Sequence, residues 1–268
     1  RMEERSPGSY RLSIRGSLLR SPFGIRNVKI YLDGFPLTDA GGNTYLNLID
    51  MHVIRSIEIL KEPDGSLFGP NSGGVVRLNS LATDTITKLK AGIGSGSFGL
   101  FQEYISIQHT IKNNTFQITQ SWQRSDGYRE NSRFDRKYVQ LTDQFRYHKK
   151  AQLTLLLFCS NLHYKTPGGL TLQEWSDAPS IARPHTAFTN GAIEQHAGVS
   201  NATWYGGLSN QINLNKHWNH NISVLGSSTD FQNPFITNYE YRREYTVGTR
   251  TWLEGSNHDE GNVLLKFH

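Results

Sequence analysis

From residue 86 onward, hydrophobic and polar side chains alternate with a period of two. Between 101 and 111 the odd positions are Phe101, Glu103, Ile105, Ile107, His109 and Ile111, against Gln102, Tyr104, Ser106, Gln108 and Thr110. Phe116, Ile118 and Trp122 then oppose Gln117, Thr119, Ser121 and Gln123, and Val139, Leu141, Phe145 and Tyr147 oppose Tyr138, Gln140, Thr142, Gln144 and Arg146. Ala202, Trp204, Leu208, Ile212 and Leu214 repeat the pattern against Thr203, Tyr205, Ser209, Gln211 and Asn213. Successive side chains of a strand point to opposite faces, so the pattern predicts strands with one apolar and one polar face. They fall at 86–95, 100–111, 116–124, 137–147, 151–163, 201–215, 218–230 and 241–254, with a further one at 262–267.

The links between these strands alternate in kind. Residues 112–115, 148–150 and 216–217 are tight turns, whereas 125–136, 164–200 and 231–240 are longer. Short turns at one end and long loops at the other are the arrangement of outer-membrane barrels. The link at 95–99 is short at the end where long loops are expected. Trp122, Tyr128, Phe145, Tyr147, Trp204, Trp218 and Trp252 fall near predicted strand ends, as an interfacial aromatic girdle would. A soluble β-sandwich also alternates, with its apolar face turned inward, and would bury Phe116, Ile118, Trp122, Leu141 and Phe145.

Upstream of about residue 81 the chain is irregular, with short strands, Gly-rich turns and a short helix predicted around 46–54. Hydrophobic residues are 36% of the chain, aromatic residues 11%, and there are 25 Gly; mean hydropathy is −0.52. No run approaches the length of a transmembrane helix, which leaves a membrane barrel allowed. The formal charge is +5, but the basic residues are scattered and the densest pairs, Lys149-Lys150 and Arg242-Arg243, are short, which argues against nucleic acid as a partner. Cys159 stands alone, so neither an intrachain disulfide nor a cysteine metal site can form. The ten His lack an HExxH or mixed-ligand spacing, no GxSxG or P-loop is present, and 94–99 is a strand-to-strand turn, so no enzyme is predicted. The beginning, Arg1-Met2-Glu3-Glu4-Arg5, has no apolar signal core; either the protein is cytoplasmic or its beginning is missing.

Five short elements occur in order in the first part: Ile14-Arg15-Gly16, VKIYLDGFP at 28–36, IEILKEP at 57–63, Leu67-Phe68-Gly69, and Gly73-Gly74-Val75-Val76. Together they resemble the second half of the plug domain of TonB-dependent outer-membrane receptors. The matching positions are Arg15, Gly16, Asp33, Gly34, Glu58, Lys61, Pro63, Gly69, Gly73 and Gly74. Glu62 stands where the family usually has Gly, and Pro70 where a small or polar residue is commoner; if that Gly is needed for positive φ, Glu62 costs about 1 kcal/mol.

The resemblance implies a mainly β fold, an N-terminal α+β plug portion (1–82) followed by antiparallel up-and-down strands of a transmembrane β-barrel (83–268). Eight or nine strands are visible where such barrels have about 22, so the chain looks like a fragment. It also implies a receptor in the outer membrane of a Gram-negative bacterium, importing a ferric siderophore with energy from the TonB-ExbB-ExbD complex through a segment missing here, and embedded in outer-membrane lipid. The ferric citrate branch looks nearest over 10–47; cobalamin or oligosaccharide uptake, and a soluble β-sandwich binding module, stay open. No cofactor is implied, since iron belongs to the ligand. By position, apical plug loops at 17–24 and 37–47 make Arg20, Asp39, Asn43, Thr44 and Tyr45 candidate ligand contacts, and the barrel loops add Arg129, Arg133, Trp175, Arg183 and His185. Arg15, Glu58 and Lys61 match a charged plug network that in the family partly reaches the barrel wall.

Overall fold

The computed structural model describes residues 2–6, 9–14, 25, 28–39, 42–61, 68, 73–81, 87–234, 239–257 and 263–267. Nine strands form one antiparallel sheet in strict sequence order: β7 (Lys88–Gly96), β8 (Leu100–Ile111), β9 (Asn114–Ser125), β10 (Phe134–His148), β11 (Ala151–Lys165), β12 (Gly198–Asn213), β13 (Trp218–Pro234), β14 (Tyr239–Asn257) and β15 (Val263–Phe267). Each alternating segment became a strand, and most run two to five residues beyond the predicted ends. The loops are correspondingly shorter, spanning 126–133 and 166–197; residues 235–238 lie outside the described set. Trp204 is therefore not near a strand end, because β12 begins at Gly198 and places it mid-strand.

The first part of the chain holds a hairpin of β1 (Met2–Ser6) and β2 (Ser9–Leu12) and a four-stranded sheet ordered β4-β3-β6-β5. Its members are β3 (Lys29–Leu32), β4 (Phe35–Pro36), β5 (Ser56–Leu60) and β6 (Val75–Asn79). β3 and β6 are parallel, and β4 and β5 pair antiparallel on either side. Asp33 (φ +49°) and Gly34 (φ +87°) turn β3 into β4; two central residues with positive φ are what a tight hairpin matching strand twist requires. Gly74 (φ +111°) passes so close to β5 that a Cβ would lie 2.7 Å from the Leu60 carbonyl oxygen, which explains the Gly pair before β6. The helix predicted around 46–54 is instead two 3-10 turns, Leu46–Leu48 and Met51–Val53. Asp50 caps the second by accepting from the His52 N–H, so the cap divides the segment before an α-helix can propagate.

The large sheet wraps this small domain, and the contacts run from Tyr104 on β8, stacked on His52, to Arg250 on β14, over the Tyr31 ring. Gln117, Thr119, Ser121, Gln140, Thr142, Asn201 and Thr203 point inward and are buried, whereas Ile118, Val139, Phe145, Leu157, Trp204 and Val224 on the opposite face are exposed. The prediction of a soluble sandwich fails here: Ile118 and Phe145 are 45% and 43% exposed. Its apolar face has no second sheet to cover it among the described residues.

β11 departs from the polar-wall expectation. Leu156, Phe158, Leu162 and Tyr164 face inward and are buried, while Leu157 faces out. Leu156 and Phe158 join Tyr138, Tyr205 and Leu225 in a single apolar cluster with Ile25, Val28, Ile30, Leu32, Phe35 and Val53 of the small domain. The wall is apolar where the inner domain presses its core against it, and elsewhere its polar side chains bond to one another or to the inner domain. Each large side chain buried in this way contributes about 1.5–3 kcal/mol.

Candidate functional site

Two places join the two parts of the chain, and a third ties the long loops of the sheet to each other. The first is the apex of the inner domain, at 37–45. Asp39 N–H donates to the Asn43 carbonyl (2.9 Å), Gly42 N–H to the Asp39 carbonyl (3.0 Å), and Asn43 N–H to Asp39 Oδ1 (2.8 Å). Thr44 is buried, bridged to Ile25 and hydrogen-bonded to Thr38. The result is a self-closed loop that holds Tyr45 against the wall. There the Tyr45 hydroxyl accepts from Arg242, whose guanidinium lies 4.5 Å over Phe231 and pairs with Glu240 (2.6 Å) and Glu244 (2.9 Å). Burial pushes the Tyr45 phenol up to about 12 against the pull of Arg242, so it stays protonated at neutral pH. A cavity of about 40 Å³ lies beside it, edged by Leu37, Asp39, Tyr205, Thr229 and Glu244. That volume holds one or two waters and no larger molecule.

The second place is a clamp. Arg136, on the inner face of β10, donates to Asp50 (2.6 Å), to the carbonyls of Ile49 (3.1 Å) and Asn47 (3.3 Å), and to Gln123 (3.2 Å). Burial works to raise the Asp50 carboxyl, but the Arg136 charge and the hydrogen bonds from His52 outweigh it and hold it below the usual carboxylate range. Nearby, Asp33 accepts from Ser80 N–H (2.7 Å) and Ser80 Oγ (2.5 Å), and Gln140 on the wall donates to the same hydroxyl (3.0 Å). Burial raises the Asp33 carboxyl despite those bonds.

The third place is a pair of laced loops at the strand ends. Arg129 donates through Nε and Nη2 to the Ile181 carbonyl (3.1 and 2.8 Å) and through Nη1 to that of Gly168 (2.8 Å). Asn131 Nδ2 reaches the carbonyls of Thr166 and Ala197 (both 2.9 Å), and Glu130 accepts from Ala182 N–H (3.1 Å). Gly127 (φ +82°) makes this crossing possible, since a Cβ there would sit 2.0 Å from Ser132 Oγ. Between the loops an open cleft of about 520 Å³ is lined by Tyr128, Arg129, Leu172 and Trp175 among others.

The residues singled out in the sequence thus fall into separate groups. Asp39, Asn43, Thr44 and Tyr45 come together at the apex, while Arg129 and Trp175 line the loop cleft. Arg183 is tied within its own loop to Gln195 (2.7 Å) and Thr189 (3.4 Å), and His185 to Glu194 (3.1 Å); Arg133 is exposed at the foot of β10. Arg20, Arg15, Gly16, Glu62, Pro63 and Gly69 lie outside the described residues. Of the expected charged network, Arg15 lies outside the described residues, and among the described ones Glu58 pairs with Arg77 (2.8 Å) across β5 and β6, both exposed. The wall contacts come instead from Arg136, Arg242 and Arg250. Their one sequence signal is register, a charged residue on the face otherwise filled by Gln, Thr and Ser. Among the described residues no cluster of three His, Cys, Asp or Glu could hold a metal ion.

A family model described as the TonB-dependent receptor plug domain matches residues 2–76. Residues 2–76 are therefore a TonB-dependent receptor plug domain. The plug and the wall around it have the fold of solved receptors. The chain is 15% identical to the ferric citrate transporter FecA in its unliganded form, with a TM-score of 0.76, covering 96% of this chain and 40% of that one. It is 14% identical to the ferric yersiniabactin uptake receptor FyuA from Yersinia pestis (TM-score 0.69; 87% and 37%) and 13% identical to the siderophore receptor PiuA from Acinetobacter baumannii (TM-score 0.66; 91% and 39%). The chain spans about two fifths of the length of these structures.

Proposed function

We propose that this chain is the plug and part of the barrel of an outer-membrane receptor that takes up a ferric siderophore, with the energy delivered through the TonB complex. The observation that carries this reading is a sheet with its apolar face outward and its polar face packed on a plug. A soluble protein has no reason to expose that face, whereas lipid covers it at no cost. Plug receptors exist to pass a scarce ligand without leaving an open pore, and the similar solved structures named above are a ferric citrate transporter, a ferric yersiniabactin uptake receptor and a siderophore receptor. In this reading the plug apex at 37–45 and the laced loops face the cell exterior, because both lie at the long-loop end of the strands. Iron is cargo, bound by the chelate.

The test is growth of a receptor-deficient Gram-negative strain carrying the whole gene, supplied with single iron sources: ferric citrate, a ferric catecholate or a ferric hydroxamate, with cobalamin as a separate arm. Rescue by one ferric chelate, lost when TonB is deleted, is the expected outcome. Rescue by cobalamin alone, or by no chelate, would remove the iron reading.

A further inference from the structure

The cleft between the loops is built in a way that selects its occupant. Helix α1 (Leu172–Asp177) is locked by a capping box between Thr171 and Glu174, yet none of its residues is buried. Leu172 and Trp175, one turn apart and so on one face, are 81% and 61% exposed. Opposite them Tyr128, 55% exposed, is braced edge-on by Phe98 at 5.4 Å. Leu170 and Pro179 complete the apolar lining. The volume of about 520 Å³ is that of a small-molecule site, and the hydrogen bonds of Arg129, Glu130 and Asn131 across the loops hold its walls in place before any ligand arrives.

Arg129 decides what kind of ligand suits these walls. An arginine grips a carboxylate edge-on, most often with the Nε and Nη2 donors side by side. Here both of those donors end on the Ile181 carbonyl, and Nη1 on that of Gly168. Three of the five N–H donors, the side-on pair among them, are thus committed to the backbone, whereas the flat face of a guanidinium remains able to stack. The Thr171 hydroxyl is taken up by Glu174 in the capping box, so a sugar would find few partners for its hydroxyls. What the cleft offers is flat and apolar: an indole, a phenol ring and a guanidinium plane.

We infer that this cleft takes a flat aryl group, and that the ferric siderophore handled by the receptor is an aryl chelate of the catecholate or phenolate kind, not a carboxylate chelate such as ferric citrate. This rests on the receptor reading for the iron, but not for the aryl specificity of the cleft itself. Aryl rings gain from stacking on the indole and the guanidinium face, and their ring edges need no donors beyond those the iron already satisfies.

The experiment uses the whole gene product in detergent, with iron-free 2,3-dihydroxybenzoate, its ferric complex and ferric citrate as probes, read by tryptophan fluorescence and calorimetry. Saturable quenching by 2,3-dihydroxybenzoate is expected. Trp175→Ala should weaken both aryl probes by about ten-fold, and Trp175→Phe by no more than about three-fold, the scale of one aromatic contact. Ferric citrate should not compete with either aryl probe. Equal aryl affinity in wild type and Trp175→Ala, or competition by ferric citrate, would overturn the aryl assignment. Aryl binding that depends on Trp175, without iron uptake in cells, would leave the assignment standing and remove the uptake reading. Uptake of the ferric catecholate unchanged by Trp175→Ala would do the reverse.

Discussion

Arg136 Nη2 lies 2.6 Å from Asp50 Oδ2, and the bond crosses from the barrel wall to the plug with both side chains almost wholly buried. A buried pair of this kind contributes little net stability against a hydrophobic substitute, but removing one member strands the other. Arg136→Met is predicted to destabilise the plug within the barrel by about 3–5 kcal/mol. The double variant Arg136→Met/Asp50→Leu should recover most of that loss. Denaturant unfolding of the four proteins in detergent measures the cycle; a double variant no better than the single would show that the contacts of Arg136 to the carbonyls of Asn47 and Ile49 dominate.

Acid should loosen the same clamp. The Asp50 carboxyl is held below its unfolded value, so its contribution is fully present above about pH 4, the ordinary Asp range, and is lost as pH falls through the depressed folded value. Asp33 has the opposite sign: burial raises its folded pKa, so its charge costs stability at neutral pH and the cost disappears on acidification. Unfolding followed from pH 7 to pH 2 should therefore show a loss below pH 4 that Asp50→Asn removes. A loss unchanged in that variant would place the acid sensitivity elsewhere.

Asp33→Asn and Asp33→Ala should part company. Asn tolerates the positive φ of +49° and still accepts from Ser80, without a buried charge. It is predicted to be neutral or stabilising at pH 7. Ala leaves the Ser80 N–H and hydroxyl without that acceptor and should cost about 1–3 kcal/mol. Thermal unfolding of the two variants side by side decides this.

Gly207 on β12 has the Phe35 ring of the plug against it, where a Cβ would stand 2.6 Å from the nearest ring carbon. Gly207→Val should force Phe35 (1% exposed) out of its place and cost about 1–3 kcal/mol by overpacking. Limited proteolysis of the plug is the readout, and Gly206→Ala next door, whose side chain points to the other face, is the control.

The outward face gives a prediction of its own. Val139, 48% exposed in mid-strand on β10, should meet lipid. Val139→Arg is predicted to lower stability by about 2–4 kcal/mol in vesicles and by far less in a soluble setting. No difference between Val139→Arg and Val139→Thr in vesicles would argue against a membrane on that face.

Much of this architecture is legible along the chain. The strand from 100 to 111 was bounded correctly by its alternation, and the tight link at 148–150 is the turn joining β10 to β11 through Lys149 and Lys150. Two of the plug motifs have a local backbone cause, positive φ at Asp33 and Gly34 and the close pass at Gly74. The apolar inner face of β11 was not legible, because Leu156 and Phe158 read as one more hydrophobic run until the plug core is seen against them. Arg136 falls at the end of the link expected at 125–136, and its partner Asp50 lies 86 residues away. A side chain's long-range partner leaves no local trace.

The sequence by itself determined that the strands have two unlike faces, which follows from their period of two, and its five short motifs carried the resemblance to a plug. It could not determine which face is inside. Period two divides side chains between two surfaces without saying which surface packs on protein. Only the tertiary structure decided that: the plug occupies the polar side, where Gln, Thr and Arg find hydrogen-bond partners, and the apolar side chains of the opposite face are left exposed. The same is true of Arg129, whose donors are committed to two backbone carbonyls 39 and 52 residues away in sequence.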